Sequence, residues 1–378
     1  MKYDLLIRNG TLVDPSQAMH ALKDVAFVDG LVAEVGDDLP ESEARETIDA
    51  TGRYVAPGLI DVHVHVYPGV SHYGIEADAT CLARGATTVV DAGSAGAETF
   101  PGFRKYVIEV SQTRILAQLN IASHGMVSRD VGEFALPEYA NVDACCKMIE
   151  QHRDLILGVK VRLTKDSIVS KAAGMIPLYR AREAADAAGL PIMIHPQAAW
   201  CGSLDDILLV MKKGDILTHS FHGMDCGILD EHGKVRASVH DAVERGVLLD
   251  VGHGSGSFSW DVVETAMAEA VLPTTISSDL HIYNVNGPVY DLANVLSKFL
   301  HLGLSLDEVL ARVTSVPAAT VLMQDRIGTL APGAWGDAVV LDLRQGSYNL
   351  ADSYGAQRTG TQSLEPVTVI KAGKVYHA

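Results

Sequence analysis

In the run Leu59-Ile-Asp-Val-His-Val-His-Val66 the polar residues Asp61, His63 and His65 alternate with Val62, Val64 and Val66. A strand has a side-chain period of two, which predicts the valines packed against helices and both imidazoles turned toward one point. Two imidazoles converging from one strand are what a divalent metal takes from a His-x-His pair. Further along stand Lys160 in Leu157-Gly-Val-Lys-Val-Arg-Leu163, His195 after Ile192-Met-Ile194, His219 after Ile216-Leu-Thr218, and Asp279 closing Thr275-Ile-Ser-Ser-Asp279. His195 and His219 are read as ligands because they coincide at successive strand ends. Asp279 at the same level suits a metal ligand or a general base, although Asp is also a favoured helix N-cap. Lys160 admits two readings. Either it lies with Arg162 on the solvated face of an edge strand, or it is an amine that loses its proton beside metals and is carboxylated by carbon dioxide to a bridging anion.

The elements that must position these residues alternate short β-branched runs with helical stretches. Strands are expected near Leu59–Val66, Thr87–Asp91, Ile115–Ile121, Leu157–Leu163, Pro191–His195, Asp215–His219, Val247–Val251 and Thr274–Asp279. Eight strand-helix units imply an α/β fold, a (β/α)8 TIM-type barrel with its reacting groups at the C-terminal strand ends. Helix punctuation agrees: Pro177–Ala188 is followed by Gly189, and Ser305-Leu-Asp-Glu308 has capping-box spacing. Short hairpins are expected on either side of the barrel, from Tyr3 to about Ala56 with turns at Asn9-Gly10 and Asp29-Gly30, and again from Ala338 to Tyr376 with a turn at Ala372-Gly373. These segments predict a small β-sandwich domain formed from residues 1–55 and 329–378, around a barrel of residues 56–328. The Gly- and Ser-bearing stretch Gln345–Ser363 reads as a long loop.

With 378 residues the chain is long enough for one large barrel plus an accessory piece, at ~150 residues per domain. A formal charge of −17 repels phosphate backbones and anionic lipid, which argues against nucleic-acid and membrane-surface partners. The five cysteines, Cys81, Cys145, Cys146, Cys201 and Cys226, fall in no zinc-finger spacing and suit a reducing compartment. With no hydrophobic leader or spanning segment in the text, a cytoplasmic protein is expected.

Pro57-Gly-Leu-Ile-Asp-Val-His-Val-His65, Lys160, His195, His219 and Asp279 together resemble the amidohydrolase superfamily in order and strand position. Thr314-Ser-Val-Pro-Ala318, Ile327-Gly-Thr-Leu-Ala-Pro-Gly333 and Gly336-Asp-Ala-Val-Val340 resemble its closing segments, so the resemblance covers nearly the whole chain. It implies two divalent ions, usually Zn2+, with His63, His65 and Asp279 on one, His195 and His219 on the other, and N6-carboxylated Lys160 as the bridge. Asp279 would then serve as the catalytic base and acid, and association into a homo-oligomer is expected by family. His219–Met224 and Asp250–Trp260 resemble a branch often labelled dihydroorotase that behaves as a deacetylase of acetyl-α-hydroxy acids and N-acetyl-amino acids. A small substrate bearing a carboxylate would need a cation, and Arg162 is the candidate, with a structural salt bridge as its alternative. His253, His281 and Tyr283, along with His222 and Trp260, are further candidate pocket residues. A cyclic-amide hydrolase of the dihydroorotase or hydantoinase type is the competing enzyme reading. A dihydroorotase would be expected to carry an arginine and an asparagine near the first motif, whereas His65 is followed by Val-Tyr-Pro-Gly-Val-Ser. A non-catalytic scaffold of the same fold would have lost ligands, and here all six positions are filled.

Overall fold

The computed structural model describes residues 1–377. Seven parallel strands pair in chain order: β1 (Leu59–Val64), β2 (Ala86–Gly96), β3 (Arg114–Asn120), β4 (Ile156–Arg162), β5 (Ile192–His195), β6 (Ile216–Leu217) and β7 (Leu248–Leu249). The eighth expected strand is extended but irregular. It bridges β7's edge at Asp250–Thr275 and β1's edge at Val64–Leu280, and the Asp279 N–H donates to His63 O at 2.7 Å. Those contacts close the sheet into a barrel. Helices wrap its outside, among them Ile176–Ala188, which buries Leu178, Ala181, Ala184 and Ala185. That helix ends at Gly189 in the left-handed region (φ 68), as its sequence implies. The Ser305/Glu308 capping box is present at the start of Leu306–Ala311.

The strict alternation expected along β1 fails in one place. Val62 joins Ile60, Val90 and Leu116 in a layer at the barrel floor that Ala318 and Val321 complete, whereas Val64 and Val66 belong to the larger core. Asp61 is likewise apart from the two histidines, accepting from the Ser278 N–H and hydroxyl. The pairing of β1 with β2 shifts register between Asp61 and Val64. Such a bulge changes the phase of the pleat by one residue and lets Val62 fill the floor while His63 and His65 still face the mouth.

Strands from both ends of the chain form two further sheets. One pairs Leu31–Gly36, Asp24–Val28, Tyr3–Arg8 and Ala44–Asp49. The other runs Lys374–Val375, Gln357–Lys371, Ala338–Ala351, Tyr54–Pro57, Thr11–Asp14 and Met19–Leu22. Leu5, Ile7, Val25 and Phe27 of the first pack on Leu12, Val55, Val340 and Ile370 of the second, as a sandwich requires. The Asp29-Gly30 and Ala372-Gly373 turns are made as expected, between paired strands. Asn9-Gly10 is not a hairpin turn, because Tyr3–Arg8 and Thr11–Asp14 pair into different sheets.

Gln345–Ser363 is also not a loop. Its residues continue two long antiparallel strands, Ala338–Ala351 and Gln357–Lys371, with a register shift between Gln345 and Tyr348. Polar, glycine-bearing composition suggested a loop, but Leu350 and Leu364 are buried and the tip is clamped to the barrel. Asp352 at the tip is 4 % exposed and accepts from three backbone N–H groups, those of Trp260, Tyr354 and Ala356. Asp352→Ala would orphan those donors. It is expected to cost about 2–4 kcal/mol in denaturant unfolding and to speed hydrogen exchange at residues 352–356 selectively.

Candidate metal centre

All six chemistry-bearing residues meet at the C-terminal mouth of the barrel, around a cleft of about 560 Å³ lined by His63, His65, Lys160, His195, His219 and Asp279. The ring centroids of His63 and His219 are 4.8 Å apart and those of His195 and His219 4.3 Å. His63 Nε2 and His65 Nε2 lie 3.4 and 3.2 Å from Asp279 Oδ1. Burial is the leading cause that holds all four imidazoles below their ordinary range, so they are neutral near pH 7.

Their hydrogen-bond partners decide which nitrogen is free. Buried Asp250 accepts from the hydroxyls of Thr218, Thr275 and Ser277 at 2.7–2.8 Å. The single hydroxyl proton of Thr218 is thereby used, and its oxygen, 2.8 Å from His63 Nδ1, must accept from that nitrogen. Nδ1 of His219 lies 2.6 Å from the Gly252 carbonyl, which can only accept. A Cβ on Gly252 (φ +47) would come within 2.5 Å of Thr218 Oγ1 and 2.8 Å of His219 Nδ1, so only glycine permits this approach. His65 Nδ1 is 2.9 Å from Ser94 Oγ, and His195 Nε2 is 3.2 Å from Thr164 Oγ1. His63 and His219 therefore offer bare Nε2 atoms, and His195 is left with Nδ1.

This creates an arrangement that is poor in isolation. The Nε2 lone pair of His63 faces a carboxylate oxygen of Asp279 with no proton between them. Asp279 Oδ1 and Lys160 Nζ are both buried without a hydrogen-bond partner. Burial raises Asp279 to about 6 and lowers Lys160 to about 7. Backbone strain accompanies this crowding, for His219 (φ 58) and Asp279 (φ 49) both occupy the left-handed region. Lone pairs converging on one point are what a bound cation satisfies, and His63, His65 and Asp279 have the spacing of a metal-ligand cluster.

Lys160 and Arg162 are not on a solvated edge. β4 is paired on both sides, Lys160 is fully buried and Arg162 is 6 % exposed. Arg162 Nη1 is bound to Glu133 Oε1 at 2.7 Å, and Glu133 also accepts from Asn120. The salt-bridge alternative for Arg162 is thus the one observed, although its side chain still borders the cleft. His281 and Tyr283 line the cleft as expected. His281 Nδ1 accepts from the Tyr283 N–H at 3.1 Å, so its Nε2 carries the proton.

His253 is elsewhere. Its Nδ1 donates to Gly254 O, its Nε2 accepts from Lys298 at 2.7 Å, and it stacks on Phe258, because at that position the chain turns its side chain toward the helix Leu292–His301. His222 and Trp260 are also buried outside the cleft: His222 accepts from the Met224 N–H, and Trp260 packs on Phe258. Residues that were not anticipated include His72, Tyr73, Arg129, Gln197 and Met224. All follow strand ends, and loops after barrel strands were the available signal.

The sequence profile described as "Amidohydrolase family" matches residues 54–376. A deacetylase of Enterococcus faecalis is 34 % identical over 382 residues, covering all of both chains. A deacetylase of Agrobacterium fabrum is 34 % identical over 342 residues, 89 % of this chain and 82 % of its own. A dihydroorotase of Trichlorobacter lovleyi is 50 % identical, but over 70 residues, 18 % of this chain and 16 % of its own. Among solved structures, one described as an adenine deaminase superposes with a TM-score of 0.91 at 33 % identity over the whole of both chains. Another, described as a dihydroorotase, gives 0.87 at 31 % identity over 99 % of each.

Asp250→Asn leaves all six cleft residues in place but offers one acceptor fewer and adds an amide donor, which breaks the relay that fixes the His63 proton. Affinity for the metal is expected to fall about 10–100-fold in chelator competition, with the far-ultraviolet circular dichroism unchanged.

Proposed function

The chain belongs to the amidohydrolase family, and on that premise we propose that this metal-dependent hydrolase is a binuclear deacetylase of small carboxylic acids, cleaving acetyl esters of α-hydroxy acids or N-acetyl-amino acids. The observation that carries the metal reading is the bare Nε2 of His63, with the Nε2 of His65, facing the unpartnered Asp279 Oδ1 in a cleft where Lys160 Nζ is also buried without a partner. His63, His65 and Asp279 would hold one ion and His195 and His219 the second. Lys160, carboxylated on Nζ, would lie between them, a change that gives the orphaned amine a role as an anion. Imidazole and carboxylate donors suit zinc. Two such ions when bound would supply Lewis acidity toward the acyl oxygen and a water that ionises near neutral pH.

The protein's own residues do the rest. Asp279 takes a proton from the attacking water and returns it to the departing oxygen or nitrogen, a task suited to a carboxylate that burial raises toward neutrality. The Nε2–H of His281 is available to donate to substrate. For the carboxylate, Arg129 is the better candidate than Arg162. Among the described residues Arg129 forms no ion pair and it borders the cleft, whereas the charge of Arg162 is matched by Glu133. Similarity to deacetylases, over the whole of one relative and most of another, supports the acyl substrate. A ring-opening cyclic-amide hydrolase is the second reading, favoured by the likeness to a structure described as a dihydroorotase; the curated dihydroorotase match is confined to a short segment.

The test is a panel of acetyl-α-hydroxy acids, N-acetyl-amino acids of both configurations, dihydroorotate and adenine, assayed with zinc and bicarbonate and with metals counted per chain. Acetyl compounds should be cleaved, and Asp279→Asn should lower kcat about 10²–10⁴-fold. Faster ring opening of dihydroorotate would instead establish the second reading, and absence of bound metal would sink both. Arg129→Met should raise KM for carboxylate-bearing substrates about 10–100-fold with kcat nearly unchanged. An unchanged KM would remove Arg129 from the site.

A further inference from the structure

Two loops beyond the ligand-bearing strands meet beside the cleft, residues 196–203 after β5 and residues 220–229 after β6. The Ala198 N–H donates to Asp225 O at 2.9 Å, and Cys201 Sγ lies 3.2 Å from Cys226 Sγ. Each loop also supplies a wall of the cleft, Gln197 from the first and Met224 from the second. The remaining cysteines are placed differently. Cys81 and Cys145 are buried, and burial pushes both thiols up to about 12; half-buried Cys146 faces the Ala184 carbonyl.

Cys201 and Cys226 stand 25 residues apart in sequence, and the barrel brings them together. Both are half-buried, hence reachable by a small oxidant. Their surroundings are unequal. The contact with Cys201 first, and after it the Ala199 N–H, lower the thiol of Cys226 against burial and the Asp225 carboxylate, which raise it, whereas the same contact raises Cys201. A thiolate that is partly exposed and in contact with a second thiol is the arrangement of a redox-sensitive cysteine beside its resolving partner.

We propose that Cys201 and Cys226 are a reversible oxidation site in which Cys226 attacks a peroxide and Cys201 resolves the product. The Cys226 thiolate displaces hydroxide from hydrogen peroxide, forming an S–O bond as the O–O bond breaks, and becomes a sulfenic acid. The Cys201 thiol then attacks that sulfur and releases water, giving a disulfide; two thiols are oxidised and one peroxide is reduced. The new bond ties the two loops and with them the Gln197 and Met224 walls, and a dithiol reductant restores both thiols. The proposal does not depend on which substrate the cleft takes.

The test treats the metal-loaded protein with hydrogen peroxide, alkylates the remaining thiols after unfolding, and maps the peptides. A dithiothreitol-sensitive link between the Cys201 and Cys226 peptides is expected, with Cys81, Cys145 and Cys146 still alkylated and Tm raised by a few degrees. In Cys201→Ser, dimedone should label Cys226. In Cys226→Ser, Cys201 should remain unlabelled. Full alkylation of both cysteines after peroxide, links scrambled to Cys145 or Cys146, or equal labelling of Cys201 in Cys226→Ser would each overturn the proposal.

Discussion

A buried carboxylate that bears none of the proposed ligand atoms governs the geometry of the centre. Asp250 accepts the hydroxyl hydrogen bond of Thr218, Thr218 must then accept from His63 Nδ1, and the His63 Nε2 lone pair has only the mouth of the barrel to face. The Gly252 carbonyl does the same for His219. A fold that orients acceptors against an acceptor, and buries an amine without a partner, stores repulsion at its own centre. Left-handed backbone at His219 and Asp279 adds to that cost. The apolar layers beneath and around the site are what hold it in place: Ile60, Val62, Val90 and Leu116 with Ala318 and Val321 at the floor, and the helices outside. A cation removes the repulsion, so occupancy of the site and stability of the barrel are linked through these residues.

Closure of the barrel depends on the same segment that carries Asp279. Residues 274–280 join β7's edge to β1 through backbone hydrogen bonds on both sides, and side chains add to them: Thr275 and Ser277 on Asp250, and Ser278 on Asp61. The sandwich reaches this region too. Ser353 Oγ donates to Gly254 O, and Tyr354 OH donates to Gly256 O and accepts from the Gly223 N–H. Gly254 in turn lies against Asp279, for a Cβ there would meet Asp279 Oδ2. The long C-terminal hairpin is therefore a strap across the last loops of the barrel, and its tip helps fix the wall formed by Ser255–Ser257.

Period and punctuation made the barrel legible. Short β-branched runs ending in His195 or His219, the Gly189 stop and the Ser305 cap are local signals, and the structure keeps them. What was missed is non-local. The phase change in β1 arises from a register shift against β2, which no window of β1 contains. Gln345–Ser363 has the composition of a loop, but each half has the other as its partner strand, and Asp352 finds its donors on another element. His253 has the position of a pocket residue along its loop, yet Lys298, buried and in need of acceptors, claims its Nε2. Arg162 was legible as a cation at the mouth; that Glu133 neutralises it was not, since the two residues belong to different strand-loop units.

The charge of the whole molecule sharpens the question of the substrate. At −17 the chain attracts divalent cations and repels small carboxylates at long range. At physiological ionic strength that field is screened beyond about 8 Å, so an anionic substrate is governed by charges inside the cleft. There, Arg162 is matched by Glu133 and the imidazoles are neutral. On the reading proposed above, the positive charge left for such a substrate would come from Arg129 at the rim and from bound ions. On the same reading, metal loading and anion affinity are coupled, and the loop bearing Arg129, rather than the strand bearing Arg162, is where a substitution would alter affinity for an anion without moving the six residues of the centre.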